Sequence, residues 1–267
     1  MLNELVNVNS SEYECNKCNK VFSGDVYSKS RFCPICGTHL WPKYVKGNRI
    51  HTKGTEIEPI QLTRDQINIH TLFEEFLRLR NFNCGEGVYF DDVQSWILAR
   101  KKAYAGFRRK FSQSKLIDWE TLRTDFEEFL HFKNNKSWTT LYRSGLQALS
   151  DIERLWRLLV FIQDESISVQ TRVSEGLQGK YYCRGIGRNI LTALLHIFDP
   201  DKYGVWNSRT EHTLFMIRRT PKTSSDLGHK YQLINNELVL LKNELKTELT
   251  TIDSFMWFIS KRVQIIK

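Results

Sequence analysis

Apolar residues recur at helical spacing through most of this chain. "INIHTLFEEFLRLR" places Ile69, Leu72, Phe73, Phe76 and Leu77 on one face. "DWETLRTDFEEFLHF" does the same with Trp119, Leu122, Phe126, Phe129 and Leu130. "SWTTLYRSGLQALSDIERLWRLLVFI" supplies one or two further helices. A last helical region over 231–262 repeats the pattern through Leu233, Leu238, Leu241 and Leu245. It closes on "DSFMWFISKR", a packing helix with Phe255, Trp257 and Phe258 in the core. Beyond the first 45 residues no stretch alternates apolar and polar positions between hairpin turns, so the expected body is mainly α, with no internal repeat.

One break in this pattern carries chemistry. "TRVSEGLQG" reads as a helix ending at Gly176 or Gly179, "CRGIG" as a turn, and "RNILTALLHIF" as a second helix. The two glycines admit backbone conformations closed to other residues and let a ligand approach main-chain amides. The partial positive charge of the second helix's N-terminus adds to the full charges of Arg184 and Arg188. Helix, glycine turn and helix together suit a DNA phosphate, gripped through Arg184, Gly185, Ile186, Gly187 and Arg188 without reading sequence. A dinucleotide fingerprint is excluded, since no strand precedes the turn and the third glycine is missing.

Charge and cysteines add to this picture. Lys and Arg outnumber Asp and Glu by 39 to 30 in 267 residues, which favours an anionic partner. "ILARKKAYAGFRRKFSQSK" (97–115) holds seven cations and no acid, with Tyr104, Phe107 and Phe111 forming an apolar stripe. Its two readings are a helix whose cations, Arg108 and Arg109 among them, meet a phosphate backbone, and a solvated helix whose cations pair with acids elsewhere. "RRTPKTSS" (218–225) is a basic loop with the same two readings. "CNKC" (Cys15, Cys18) and "CPIC" (Cys33, Cys36) supply four thiolates in two knuckles, the ligand set of a structural zinc ribbon. Cys84 and Cys183 read as buried thiols. The expected domains are a ribbon over 1–45, a polar linker over 46–65 and a helical body over 66–267. "MLNELVNVNSSEYE" lacks the apolar core of a secretory signal, and no apolar run approaches the ~20 residues of a membrane span. The expected location is cytoplasmic, on the nucleoid, with no membrane partner.

"GIGRNILTALLHIFDPDKYGVWNSRTEHTLFMI" resembles the core of the helix–hairpin–helix (HhH-GPD) DNA glycosylase superfamily, over about residues 165–220. The resemblance implies a two-lobed helical body that binds double-stranded DNA and flips a base. It places the catalytic aspartate's slot at Asn207 and the lyase-type lysine's slot at Asn189. Without that lysine no Schiff base forms, so the implied activity is a monofunctional, water-using glycosylase that leaves an abasic site. The expected substrate is a modified base, with hypermodified phage bases such as glucosylated hydroxymethylcytosine as the leading class. Asn207 can orient water but supplies no negative charge. Glu211 stands four residues on, either as a substitute carboxylate or as the second half of a Ser208-x-x-Glu211 capping box. Arg209 joins the expected DNA contacts. The alternatives are an inactive DNA-binding module that recruits a protein partner through its ribbon, and a phage enzyme of base hypermodification on the same fold. His196 and His212 read as ordinary helix residues.

Overall fold

A computed structural model describes Glu12–Glu14, Val21–Ser23, Ile35 and Trp41–Pro42, then residues 57–85, 88–112, 118–131 and 145–266. The chain divides into two compact units, Met1–Thr52 and Lys53–Lys267. In the first, β1 (Glu12–Glu14), β2 (Val21–Ser23) and β3 (Trp41–Pro42) form an antiparallel sheet in the order β2-β1-β3. The Glu14–Val21 pair closes a connection whose sequence holds Cys15 and Cys18. Those two thiols, with Cys33 and Cys36, lie outside the described residues, as does Lys115 of the basic segment.

The second unit is mainly helical, with nine α-helices among the described residues: α1 (Ile69–Leu77), α2 (Val93–Lys110), α3 (Trp119–Leu130), α4 (Ile152–Ile162), α5 (Val169–Leu177), α6 (Arg188–Phe198), α7 (Ser208–Met216), α8 (Leu227–Glu244) and α9 (Leu249–Arg262). Seven of these nine start at an Asn, Asp or Ser whose side chain accepts a first-turn N–H; α6, at Gly187, and α9, at Glu248, have no side-chain cap. The helical region expected over 231–262 holds two helices, α8 and α9, with a break between them. Lys246 takes φ 49° there, and the Thr247 N–H donates to the Lys242 carbonyl at 3.0 Å, a Schellman ending.

Strands also appear where periodicity gave none. β5 (Arg80–Gly85) and β6 (Val88–Asp92) pair as an antiparallel hairpin. Phe82 and Cys84 face inward on it, while Asn81 and Asn83 stay exposed. β4 (Ile60–Leu62) lies parallel to β7 (Val263–Ile265). Residues 60–62, read as linker, are therefore part of the helical unit.

α6 and α9 form the centre of this unit. Every residue from Ile190 to Ile197 and from Leu249 to Ile259 is buried, as expected for helices covered on all sides. A polar network crosses the core around them. The Arg100 guanidinium on α2 meets Asp253 and Ser254 on α9 and donates to the Tyr104 hydroxyl. Buried charge is tolerated there because each member finds a partner. No helix among the described residues is long and apolar enough to cross a membrane.

Candidate nucleic-acid interface

The glycine turn lies between α5 and α6, as its residues demand. The Ile186 N–H donates to the Cys183 carbonyl at 3.0 Å, and Gly185, third of the four turn residues, has φ 88°. A side chain at that φ is disfavoured, so glycine is required. Ile186 is buried and anchors the tip to the core. Gly187 then opens α6 in extended backbone, and a Cβ built on it would meet nothing within 4 Å. Gly187 is exposed, and the first turn of α6 has no capping side chain, so its amides keep the donor capacity that an anion accepts. Arg184 is exposed, its Nε donating to Gln147 Oε1 at 3.2 Å. Behind the turn, α5 lies so close to α8 that a Cβ at Gly228 would sit 1.9 Å from the Gln170 carbonyl oxygen.

The first turn of α6 meets α7 and α8 at one ionic cluster. Arg188 Nη2 lies 3.0 Å from Glu211 Oε2, and Lys230 Nζ lies 2.6 Å from Glu211 Oε1. Both cations also cover the buried indole of Trp206, at 5.0 and 5.6 Å from its centroid. The segment is fixed by the Trp206 N–H, which donates to Thr192 Oγ1 on α6 at 2.9 Å. Burial works against ionisation of Glu211, but Lys230, Arg188 and the nearby Trp206 outweigh it, so its pKa is lowered. The Trp206 Nε1–H is close enough to assist in this, yet makes no hydrogen bond of proper geometry. Glu211 is therefore an ionised, partly exposed carboxylate beside the hairpin and does not act as a cap.

The cap is Asn207. Its Oδ1 accepts from the Thr210 N–H at 2.9 Å, which shifts the helix start one residue back from the Ser208-x-x-Glu211 reading. The side chain is 5% exposed. Asn189, the second residue of α6, is half-buried. Arg209 is half-buried too, close enough to Asp253 and Arg100 to feel both, and burial lowers its pKa.

The basic segment divides between its two readings. Arg108 Nε donates to the Ile197 carbonyl at 2.8 Å. It neutralises the C-terminal end of α6, whose 11 residues put it about 15 Å from the hairpin. Arg100 is buried against Asp253, Lys101 pairs with Glu248 at 2.7 Å, and Lys110 pairs with Asp125 and Glu128 at 2.9 and 2.6 Å. Arg109 and Lys102 remain exposed on α2. In the 218–225 loop Arg218 pairs with Asp65, and Arg219 with Glu244. Six cations of these two segments thus have partners in the fold, while Lys102, Arg109 and Lys222 stay exposed. Lys230 was missed, because only the packing of α8 beside α7 brings it to Glu211.

Cys84 and Cys183 are buried, and burial pushes the Cys183 thiol up to about 11. His212 is exposed, and His196 is fully buried. No protein-family model, curated protein or solved structure matches this chain.

Proposed function

We propose that the protein grips the backbone of double-stranded DNA through the α5–turn–α6 hairpin, as a divergent relative of the helix–hairpin–helix glycosylases. The observation that carries this is the uncapped start of α6 at Gly187, open to approach, between Arg184 and Arg188 and behind the φ 88° turn at Gly185. The activity we assign to the grip is hydrolysis of the N-glycosidic bond of a flipped, modified base, with hypermodified phage bases as the first class to test. Water would attack the sugar carbon as the base leaves, without a lyase step, since Asn189 offers no amine. Glu211, not Asn207, is the group with the charge to steady a cationic sugar. A DNA phosphate that draws Arg188 away would leave Glu211 paired with Lys230 alone.

The experiment is incubation with plain and modified duplexes, followed by alkali. Strand scission confined to the modified duplex is expected, falling at least ~100-fold in Glu211→Gln. Intact DNA that still shifts in a gel would overturn the glycosylase reading for the bases tried. It would favour a second one, a catalytically silent DNA-binding protein. That reading has an observation of its own: the Asn207 amide oxygen is engaged as a helix cap.

We also assign Cys15, Cys18, Cys33 and Cys36 to one structural zinc. A β1–β2 hairpin that brackets the first knuckle is the frame such a ribbon uses. Metal analysis should find one zinc per chain, lost on changing any of the four cysteines.

A further inference from the structure

Beyond the hairpin, the second unit carries an open cleft of about 750 Å³ lined by Trp156, Phe161, Lys180 and Tyr181, among others. A smaller one of about 310 Å³ adjoins it, lined by Arg154 and again by Arg157, Lys180 and Tyr181. The shared residues make the two one groove along α4. Its Tyr181 end lies three residues before Arg184, and Arg184 bonds Gln147 just ahead of α4, so the groove begins at the hairpin.

Tyr181 is stacked on Phe161 with centroids 3.8 Å apart and planes 6° from parallel. Phe161 fixes one face of the phenol. The Lys180 ammonium lies over the ring, 5.5 Å from its centroid, and Tyr181 and Lys180 both line the cleft. Trp156, half-buried, is a second aromatic surface. The acids of the groove are turned to local tasks. Asp151 caps α4, Glu153 pairs with Arg157, and Asp164 takes the Ser166 N–H and hydroxyl. Glu165 is held by Arg172, Lys202 and the Tyr203 hydroxyl. Arg154 and Lys180 are exposed and form no ion pair among the described residues. Unpaired cations beside a rigid aromatic face are what a single strand uses, phosphates on the charges and a base on the ring.

We propose that this groove holds a single-stranded stretch of the DNA whose backbone the hairpin grips, with one base stacked on Tyr181 and its phosphate on Lys180. This rests on the hairpin reading for continuity, and the test separates the two. Three probes serve: a blunt duplex, the same duplex with a single-stranded oligo-dT tail on either end of a strand, and free oligo-dT. One stacked base should tighten the tailed duplex about tenfold over the blunt one. Tyr181→Ala should abolish that gain and leave blunt-duplex binding unchanged, which also reports that the variant folds. Tyr181→Phe should keep it. A tail that adds nothing, or a gain that survives Tyr181→Ala, overturns the groove and leaves the hairpin standing. Loss of blunt-duplex binding in wild-type protein sinks the hairpin reading instead, and the Tyr181 dependence of free oligo-dT binding then decides the groove by itself.

Discussion

The imidazole of His196 lies in the centre of the helical core, Nδ1 2.6 Å from the Tyr203 carbonyl oxygen and Nε2 3.2 Å from Thr250 Oγ1. Facing a carbonyl, Nδ1 must carry the hydrogen, and Nε2 accepts from the threonine. Burial holds its pKa down at about 4. The unfolded chain, with an ordinary histidine, takes up a proton at higher pH than the folded one. The stability this residue contributes is therefore complete above about pH 6.5 and drains away as pH falls toward 4, by on the order of 3 kcal/mol. Urea titrations at pH 7 and pH 5 should show the loss, and His196→Gln should flatten it. At Asn207 the expectation is smaller. Asn207→Ala removes the cap of α7 and should cost about 1 kcal/mol, whereas Asn207→Asp keeps it. If the Ala variant excises bases at the full rate, the residue is structural only.

At the scale of elements, the hairpin is the piece whose sequence and geometry agree most closely. Gly185 occupies the one turn position with positive φ, and Gly187 starts α6 without a side chain. Gly185→Ala should destabilise the protein by about 1–2 kcal/mol and weaken duplex binding, while far-UV circular dichroism at low temperature stays the same. Arg109→Gln, on the exposed side of α2, should change binding far less than Arg184→Gln. Helices were legible because their apolar spacing is local, whereas the one start read from a cap, Ser208, falls to Asn207. The β5–β6 hairpin was not, because only a few residues alternate and a bulge at Asn83–Gly85 interrupts the register. The β4–β7 pair joins segments about 200 residues apart, beyond any periodicity read along the chain.

Across the whole molecule, α2 and α9 are tied by Arg100 and Asp253, both buried. Asp253→Ala would strand a guanidinium in the core and should cost about 3–5 kcal/mol, read as a lower urea midpoint. Replacing Arg100 and Asp253 together with apolar residues of similar volume should cost clearly less than the sum of the single changes. If the two single costs add, the pair is not coupled as described.

The sequence by itself determined what depends on near neighbours: a mainly helical body, the glycine turn with its flanking arginines, and two buried cysteines. Tertiary structure decided which charges are available. Arg108 and Arg109 read alike along the chain, yet in the fold Arg108 donates to the Ile197 carbonyl of α6. Glu211 looks like a cap, until α8 delivers Lys230 and α6 delivers Arg188. A charge is spent or free according to what lies within about 4 Å of it, and in a folded chain those groups come from elements far apart in sequence.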